Sequence, residues 1–434
     1  MRKLFVILLF TLPIIKSGLA QGNLTLPDAV SIALKNSYNI QLAKDNLEIA
    51  NINNHIGVAG GLPIVNAQIV DNEQIISINQ KFPDPTRNLK RDGVTSNILN
   101  ASVTGNILLF NGYRVKATKS RLEELESQNQ GLLNAQIQNT IAAVNTGYYN
   151  VVRHQYFLTS INQSIDVSKK RLDILNSRKE VGLANNADIF QAQLDLNTLI
   201  QLAESQQLVI NQSKTDLLNL IFVNPDSTIS INDTIIIDRT ININQIKTLS
   251  LKNPQLIVAE QQIKINQLLE REVAALQSPT LRATAGYNLN NTSSAAGFIL
   301  LNQSSGPQVG LNLSMPIYNG TINKRQLKVA EVNTKIAKTN RDNFILGIET
   351  GVVKTYQSYT STLAQLKTSK ENYDLSIKLL DLVMQKFQLG EGTIIDVRVA
   401  QNSFEVESFK LANIAFTAKV AEIELKRLAN LLQP

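Results

Sequence analysis

The sequence predicts a mainly α-helical chain that also carries a few membrane-facing β-strands and is built as two tandem copies of one module. Three observations predict it. Positions 109–221 reappear at 317–429 with a constant offset and no gap: Phe110-Asn111-Gly112 recurs as Tyr318-Asn319-Gly320, Tyr148 as Tyr356, Val181-Gly182-Leu183 as Leu389-Gly390-Glu391, and Ala187-Asp188-Ile189 as Ile395-Asp396-Val397. A repeat of about 110 residues is too long for a solenoid unit, so this is a duplicated module. The second observation is apolar periodicity of the helical kind sustained over very long stretches. The third is a switch to period two in four short segments that flank those stretches.

Taken in order, residues 1–20 have the pattern of a secretory signal peptide: Arg2-Lys3, an apolar run from Leu4 to Ile15, then Gly18 and Ala20 before a cleavage site ahead of Gln21. The run is shorter than the ~20 residues a spanning helix needs. Removing Arg2, Lys3 and Lys16 with this leader lowers the formal charge from +7 to +4. That mild, scattered charge gives no footprint for nucleic acid. The absence of Cys excludes disulfide, thiolate and zinc–cysteine chemistry. No other stretch is apolar enough for a transmembrane helix, so any membrane span is expected to be made of strands.

The first repeat, 21–242, is expected to hold helices at about 27–61, 112–181 and 188–222, strands at about 64–72 and 97–110, and a linker over 222–242. The second, 243–434, is expected to hold helices at about 244–277, 320–389 and 394–432 and strands at about 280–290 and 307–317. No proline lies between Gly112 and Val181, and Ile137, Ile141, Val144, Tyr148, Val151, Leu158, Ile161, Ile165, Leu172 and Leu175 form a heptad-like seam with one stammer after Leu158. Leu363, Leu366, Tyr373, Ile377, Leu380, Met384 and Phe387 form the second seam, interrupted by Lys370. Helices of about 70 residues would be on the order of 100 Å long. Each ends at a glycine-marked turn, Gly182 or Gly390 with Gly392, after which the chain doubles back.

Leu99, Ala101, Val103, Ile107 and Leu109 alternate with Asn100, Ser102, Thr104 and Asn106, and Val309, Leu311, Leu313, Met315 and Ile317 with Gln308, Gly310, Asn312 and Ser314. Weaker alternation occurs at Val65, Ala67, Ile69 and at Leu281, Ala283, Ala285, Tyr287, Leu289. Segments of ~10 residues that are apolar on one face and Asn/Ser/Thr/Gln on the other suit an outer-membrane barrel with a wet lumen. A soluble half-buried sheet produces the same alternation, and the leader together with the lack of any other core favours the barrel. Polar loops of about 71–96 and 291–306 join the strand pairs. Four strands cannot close a membrane barrel of at least about eight, and an open edge is not tolerated in lipid, so protomers are expected to share one barrel in a cyclic oligomer.

Thr393 with Asp396, and Asn185 with Asp188, have the spacing of helix N-caps. His55 and His154 stand alone in helical patterns, which favours structural histidines over metal ligands. Tyr148, Tyr149, Tyr156 and Phe157 suit interhelix packing, while Phe110 and Tyr318 suit an aromatic girdle. No phosphate loop, nucleophile elbow or paired catalytic motif is present, so no enzyme, cofactor or metal is expected.

The duplicated organisation, Leu-Phe-Asn-Gly at 109–112, Ile-Tyr-Asn-Gly at 317–320, and the hairpin motifs Val181-Gly182-Leu183 to Asp188 and Leu389-Gly390-Glu391-Gly392-Thr393 to Asp396 resemble the TolC-type outer-membrane efflux channel family across essentially the whole mature chain. The resemblance implies a homotrimer with a twelve-strand barrel in outer-membrane lipid, continuous with a periplasmic α-helical barrel, that docks to an adaptor protein and an inner-membrane transporter. It implies that Gly182, Asp188, Gly390, Gly392 and Thr393 form adaptor-facing hairpin tips. It also implies a constriction at Asp396 and Val399, the latter standing where better-known members have a second aspartate. The tyrosine and arginine that help hold some relatives closed correspond to Phe387 and Gly392. Asp396 therefore has two readings, a helix cap and a pore-lining carboxylate. The function implied is a passive exit duct for an efflux pump; a type I protein secretion duct and a poreless coiled-coil surface scaffold are the alternatives.

Overall fold

The computed structural model describes residues 23–295 and 299–433, so the expected signal peptide lies outside the described residues. The chain divides into two compact units, one made of the described residues up to Leu42 with Asn134–Asn253 and the segment from Ile345 onward, the other of Ala43–Leu133 and Pro254–Phe344.

The element order is α1 (Leu26–Asn36), α2 (Tyr38–Asn53), β1 (Ile64–Gln80), β2 (Leu89–Phe110), α3 (Arg114–Glu180), α4 (Asn186–Leu220), α5 (Ile243–Ser250), α6 (Pro254–Ala274), β3 (Thr280–Ser294), β4 (Leu301–Ser314), α7 (Ile322–Leu389) and α8 (Ile394–Leu428). The two long hairpins, α3–α4 and α7–α8, match the seams read from the sequence. Three expectations need correction. The helix expected at 27–61 is broken at Ser37, whose N–H closes α1 onto the Ala33 carbonyl while its hydroxyl accepts from Ile40 N–H, and it ends at Asn53. The helix expected at 244–277 is interrupted at 251–253 and restarts at Pro254, whose fixed φ and missing N–H suit a first helical turn. The strands are longer than their alternating cores, so the expected loops shrink to 81–88 and to the segment between Ser294 and Leu301; β4 instead stops at Ser314, short of the expected 317.

In the first unit the largest apolar cluster is assembled from α1, α3, α4, α8 and the linker. Val30 and Ala33 of α1, Val144, Tyr148 and Val151 of α3, Leu217 and Leu218 of α4, and Ile423 of α8 cluster with Ile231, so the linker is pinned against the helices. The Tyr148 hydroxyl donates to the Leu24 carbonyl at 3.1 Å and to Asp233 at 3.2 Å, and burial, with Asp233 beside it, pushes the phenol well above its usual range. This is packing, not a ligand cage. Nearer the turns, Ile161 and Ile165 meet Leu196 and Leu199, while Leu380 meets Ala400 and Phe404.

In the second unit the strands form one antiparallel sheet in the order β1-β2-β3-β4. The two repeats therefore meet strand to strand, β2 against β3. Gly112, where β2 passes into α3, has φ +67°, and a Cβ there would lie 2.4 Å from Ser278, so only glycine fits this joint. Arg121 of α3 pairs with Glu272 of α6 at 2.5 Å, and Asn54 donates to Glu126 at 2.5 Å, tying α3 to its neighbours.

Candidate functional site

Register decides what the sheet can do. Ala67 pairs with Val103, Val103 with Tyr287, and Tyr287 with Pro307; one rung away, Val65, Gly105, Ala285 and Val309 align. Because side chains alternate between faces, this alignment collects every apolar half-pattern onto a single face. That face is bare: Ile69 is 76% exposed, Leu311 73% and Val309 88%. Asn66, Thr104, Gly286 and Gln308 align on the opposite, polar face. The apolar run on β3 from Leu281 to Leu289 is about 27 Å along the strand at ~3.4 Å per residue, or roughly 20 Å after a tilt of ~40°, close to the ~25 Å band of an outer-membrane barrel. On β1 the same face turns polar at Asp71 and Glu73, both within reach of Asn97. Phe110, paired with Leu281, stands at the other end of the band in edge-on contact with Tyr113, a position that suits a girdle; Tyr318 lies outside the strands.

The hairpin turns share one construction. Gly182 (φ +77°) and Gly390 (φ +87°) follow their helices in the left-handed region. Leu183 N–H bonds to the Arg178 carbonyl and Glu391 N–H to the Lys386 carbonyl, with shorter-range bonds from Gly182 to Lys179 and from Gly390 to Phe387; this is the Schellman pattern. Gly392, in the bend that follows, is not in that region. A Cβ there would lie 3.1 Å from the backbone nitrogen of Phe387, so its smallness serves close approach.

The returning helices begin on caps. Asn185 accepts from Asp188 N–H at 2.8 Å. Thr393 and Asp396 form a reciprocal capping box: the Thr393 hydroxyl accepts from Asp396 N–H at 3.2 Å, and the carboxylate accepts from Thr393 N–H at 2.9 Å. These bonds hold the Asp396 carboxyl below the usual carboxylate range. Val397 and Ala400 are buried, while Ile395 (66% exposed) and Val399 (61%) lie away from them and Asp396, one turn before Ala400, is exposed on the flank of α8. The capping reading of Asp396 thus holds, and its carboxylate is solvent-exposed.

Sequence reasoning missed the polar ties within and between the hairpins. Arg171 of α3 is buried and pairs with Asp195 of α4 at 2.9 Å; Gln191 also donates to Asp195, and Arg398 of α8 approaches it at 3.6 Å. Burial pulls the Arg171 guanidinium down from its usual range, opposed by Asp195. In the sequence it stands beside the seam residue Leu172, at the end of the run Lys169-Lys170-Arg171, where it reads as one of a solvated group of charges. The histidines are structural: His55 Nδ1 accepts from Gly57 N–H, and His154 contacts Gln206 and Arg153. No metal-binding cluster occurs among the described residues.

Residues 246–431 match the family described as outer membrane efflux protein. Among curated proteins the chain is similar to the toxin and drug export protein A of Aggregatibacter actinomycetemcomitans, 20% identical over 310 residues, covering 70% of this chain and 65% of that one. It is also similar to the outer membrane protein TolC of Escherichia coli strain K12, 22% identical over 350 residues, covering 77% of this chain and 70% of that one. The match spans just under two thirds of the length of the export protein. Among solved structures, the outer membrane protein VceC of Vibrio cholerae superposes with a TM-score of 0.78 at 16% identity over 93% of this chain and 95% of that one, a likeness of fold.

Proposed function

We propose that this chain, which over its second repeat belongs to the outer membrane efflux protein family, is the outer-membrane exit duct of an export system. It conducts cargo passively, and the energy comes from an inner-membrane transporter reached through a periplasmic adaptor. The observation that carries this reading is the register: three successive strand pairings bring all the apolar half-patterns onto one bare face and the Asn/Ser/Thr/Gln half-patterns onto the other. A face of that kind is stable against lipid, and its reverse against water.

The sheet has two open edges, β1 and β4, among the described residues. Unpaired strand edges are costly in hydrocarbon, so the reading includes closure by copies of the same chain, three copies giving twelve strands. Exposed apolar stripes at Phe190, Leu194 and Leu208 on α4 and at Leu375, Leu379, Leu382 and Leu389 on α7 support a matching ring of helices. Gly182, Asp188, Gly390, Gly392 and Thr393 would then be the adaptor-facing tips, with Asp396 and Val399 at the entrance. The test is conductance: detergent-extracted, correctly assembled protein in planar bilayers should pass ions, and assembled oligomers that pass none would favour a poreless scaffold.

A further inference from the structure

The polar face of the sheet is almost free of charge. Across the paired lengths 64–76, 94–108, 280–292 and 302–314, alternate residues on this face are Asn, Gln, Ser, Thr, Gly and a few aliphatics, and the single charged one is Arg282. It sits opposite Leu108 and Asn312, at the end of the sheet where β2 passes into α3. There it lines a cavity of about 380 Å³ together with Arg114, Arg121, Glu272, Asn106 and Ile64. Asn106 and Ile64 pair with one another and lie on the same polar face as Arg282, so the cavity draws these three of its lining residues from that face. Glu272 is engaged by Arg121 at 2.5 Å. Arg114 and Arg282 make no ion pair among the described residues. Arg114 is also the first residue of α3, whose N-terminus adds partial positive charge at the same place.

We infer that this cavity is an anion-binding collar at the inner mouth of the barrel, taking carboxylate or phosphate groups on the cargo and giving the pore a preference for anions at that level. The inference rests on the duct reading above. In a trimer, three copies would set about six uncompensated guanidinium groups around one lumen, which is the arrangement that favours anions in narrow pores. Two properties make arginine the suited residue: it keeps its charge at any physiological pH, and its planar fork matches oxyanions with two bonds at once. The neutral polar lumen beyond it neither competes with nor screens that charge, so the field at the mouth is set by the collar and the counterions, over a Debye length of ~8 Å at physiological salt.

The test uses the full-length trimer in planar bilayers under a KCl gradient, with inorganic tripolyphosphate as the probe. Arg114→Gln/Arg282→Gln should shift the reversal potential toward cation preference and raise the half-blocking tripolyphosphate concentration about tenfold or more, as expected when charge-assisted bonds are lost. Lys116→Gln/Lys324→Gln removes the same charge from nearby residues that do not line the cavity, and it should leave both readouts near the parent values. A conducting arginine double variant with unchanged selectivity and block would overturn the collar, as would an equal shift in the lysine pair. Titration calorimetry of tripolyphosphate into the detergent-solubilised trimer separates this from the duct reading: binding that depends on the two arginines without any conductance would overturn the duct and its selectivity while keeping the anion site, and binding indifferent to them would overturn the anion site itself.

Discussion

The guanidinium of Arg178, in the last turn of α3, lies over the ring of Phe387 near the end of α7, 4.7 Å from its centroid, and donates a hydrogen bond to the Phe387 carbonyl. Phe387 is itself buried among Leu175, Ala192 and Val397, which come from α3, α4 and α8. One ring therefore joins all four helix ends beside the two turns. The resemblance placed Phe387 where some relatives carry a closing tyrosine; here the tie is made by a cation over a ring.

Replacing Arg178 with alanine removes both contacts, each worth on the order of 1 kcal/mol or more. The expected outcome is a larger open fraction in single-channel recordings, with trimer yield close to the parent. Arg178→Lys keeps the charge and loses the planar stacking, so it should fall between the two. Gating traces identical to the parent for the alanine variant would show that this pair does not restrain the entrance.

Asp396→Asn separates the two roles of that carboxylate. Asparagine keeps an oxygen for Thr393 N–H, so thermal stability should change little. If three copies face the lumen, cation selectivity at the entrance and block by multivalent cations should both weaken; unchanged selectivity would leave Asp396 a cap alone. The lowered carboxyl pKa also fixes a sign: the cap's contribution is present above the ordinary aspartate value of ~3.9 and is lost as pH falls through the lower folded value.

Ring closure can be read chemically because the chain has no cysteine. Leu194 and Leu382 lie on exposed apolar stripes of α4 and α7, at similar distances from their turns. A Leu194→Cys/Leu382→Cys variant should give a ladder of dimer and trimer on non-reducing gels after mild oxidation, while neither single variant gives trimer. A product that stays monomeric would reject pairing between these two stripes.

Asp238 of the linker accepts from Thr240 N–H at 3.0 Å and from its hydroxyl at 2.6 Å, and it pairs with Lys426 at 3.0 Å. The Thr240 bonds, helped by Lys426, hold its carboxyl well below the usual range. Its stabilisation is therefore full above ~3.9 and disappears only as pH falls through the folded value. Asp238→Asn should lower stability by about 1 kcal/mol at neutral pH after allowing for partial exposure. In thermal melts the gap to the parent should close in strong acid. A gap that does not vary with pH would mean that the loss is one of shape and not of charge.

Much of this architecture was legible because its periods are long and its punctuation sharp. The heptad seams, the turns at Gly182 and Gly390 and the Thr393–Asp396 box all follow from local chemistry. The strand extensions did not, because Asp71, Asn72 and Glu73 are polar on both faces and erase the alternation that marked Val65 to Ile69. The break at Ser37 was hidden for a related reason: serine is an unremarkable helix residue until its hydroxyl finds an N–H to cap. Arg282 was visible only as one charge among many, since its standing as the lone charge over the regularly paired lengths of a face depends on pairing partners drawn from both repeats.

That pairing across repeats also sets an order of events. Val103 can meet Tyr287 only after the whole α3–α4 hairpin, the linker and α6 have been made, because these lie between them in the chain. Each nascent half holds only a two-stranded ribbon, which is marginal on its own. The central seam of the sheet must wait for a very large loop to close, and contacts of such high sequence separation form slowly. A chain that stops short of the second repeat cannot present the four-stranded surface, so under the duct reading competence for insertion waits for β3 and β4.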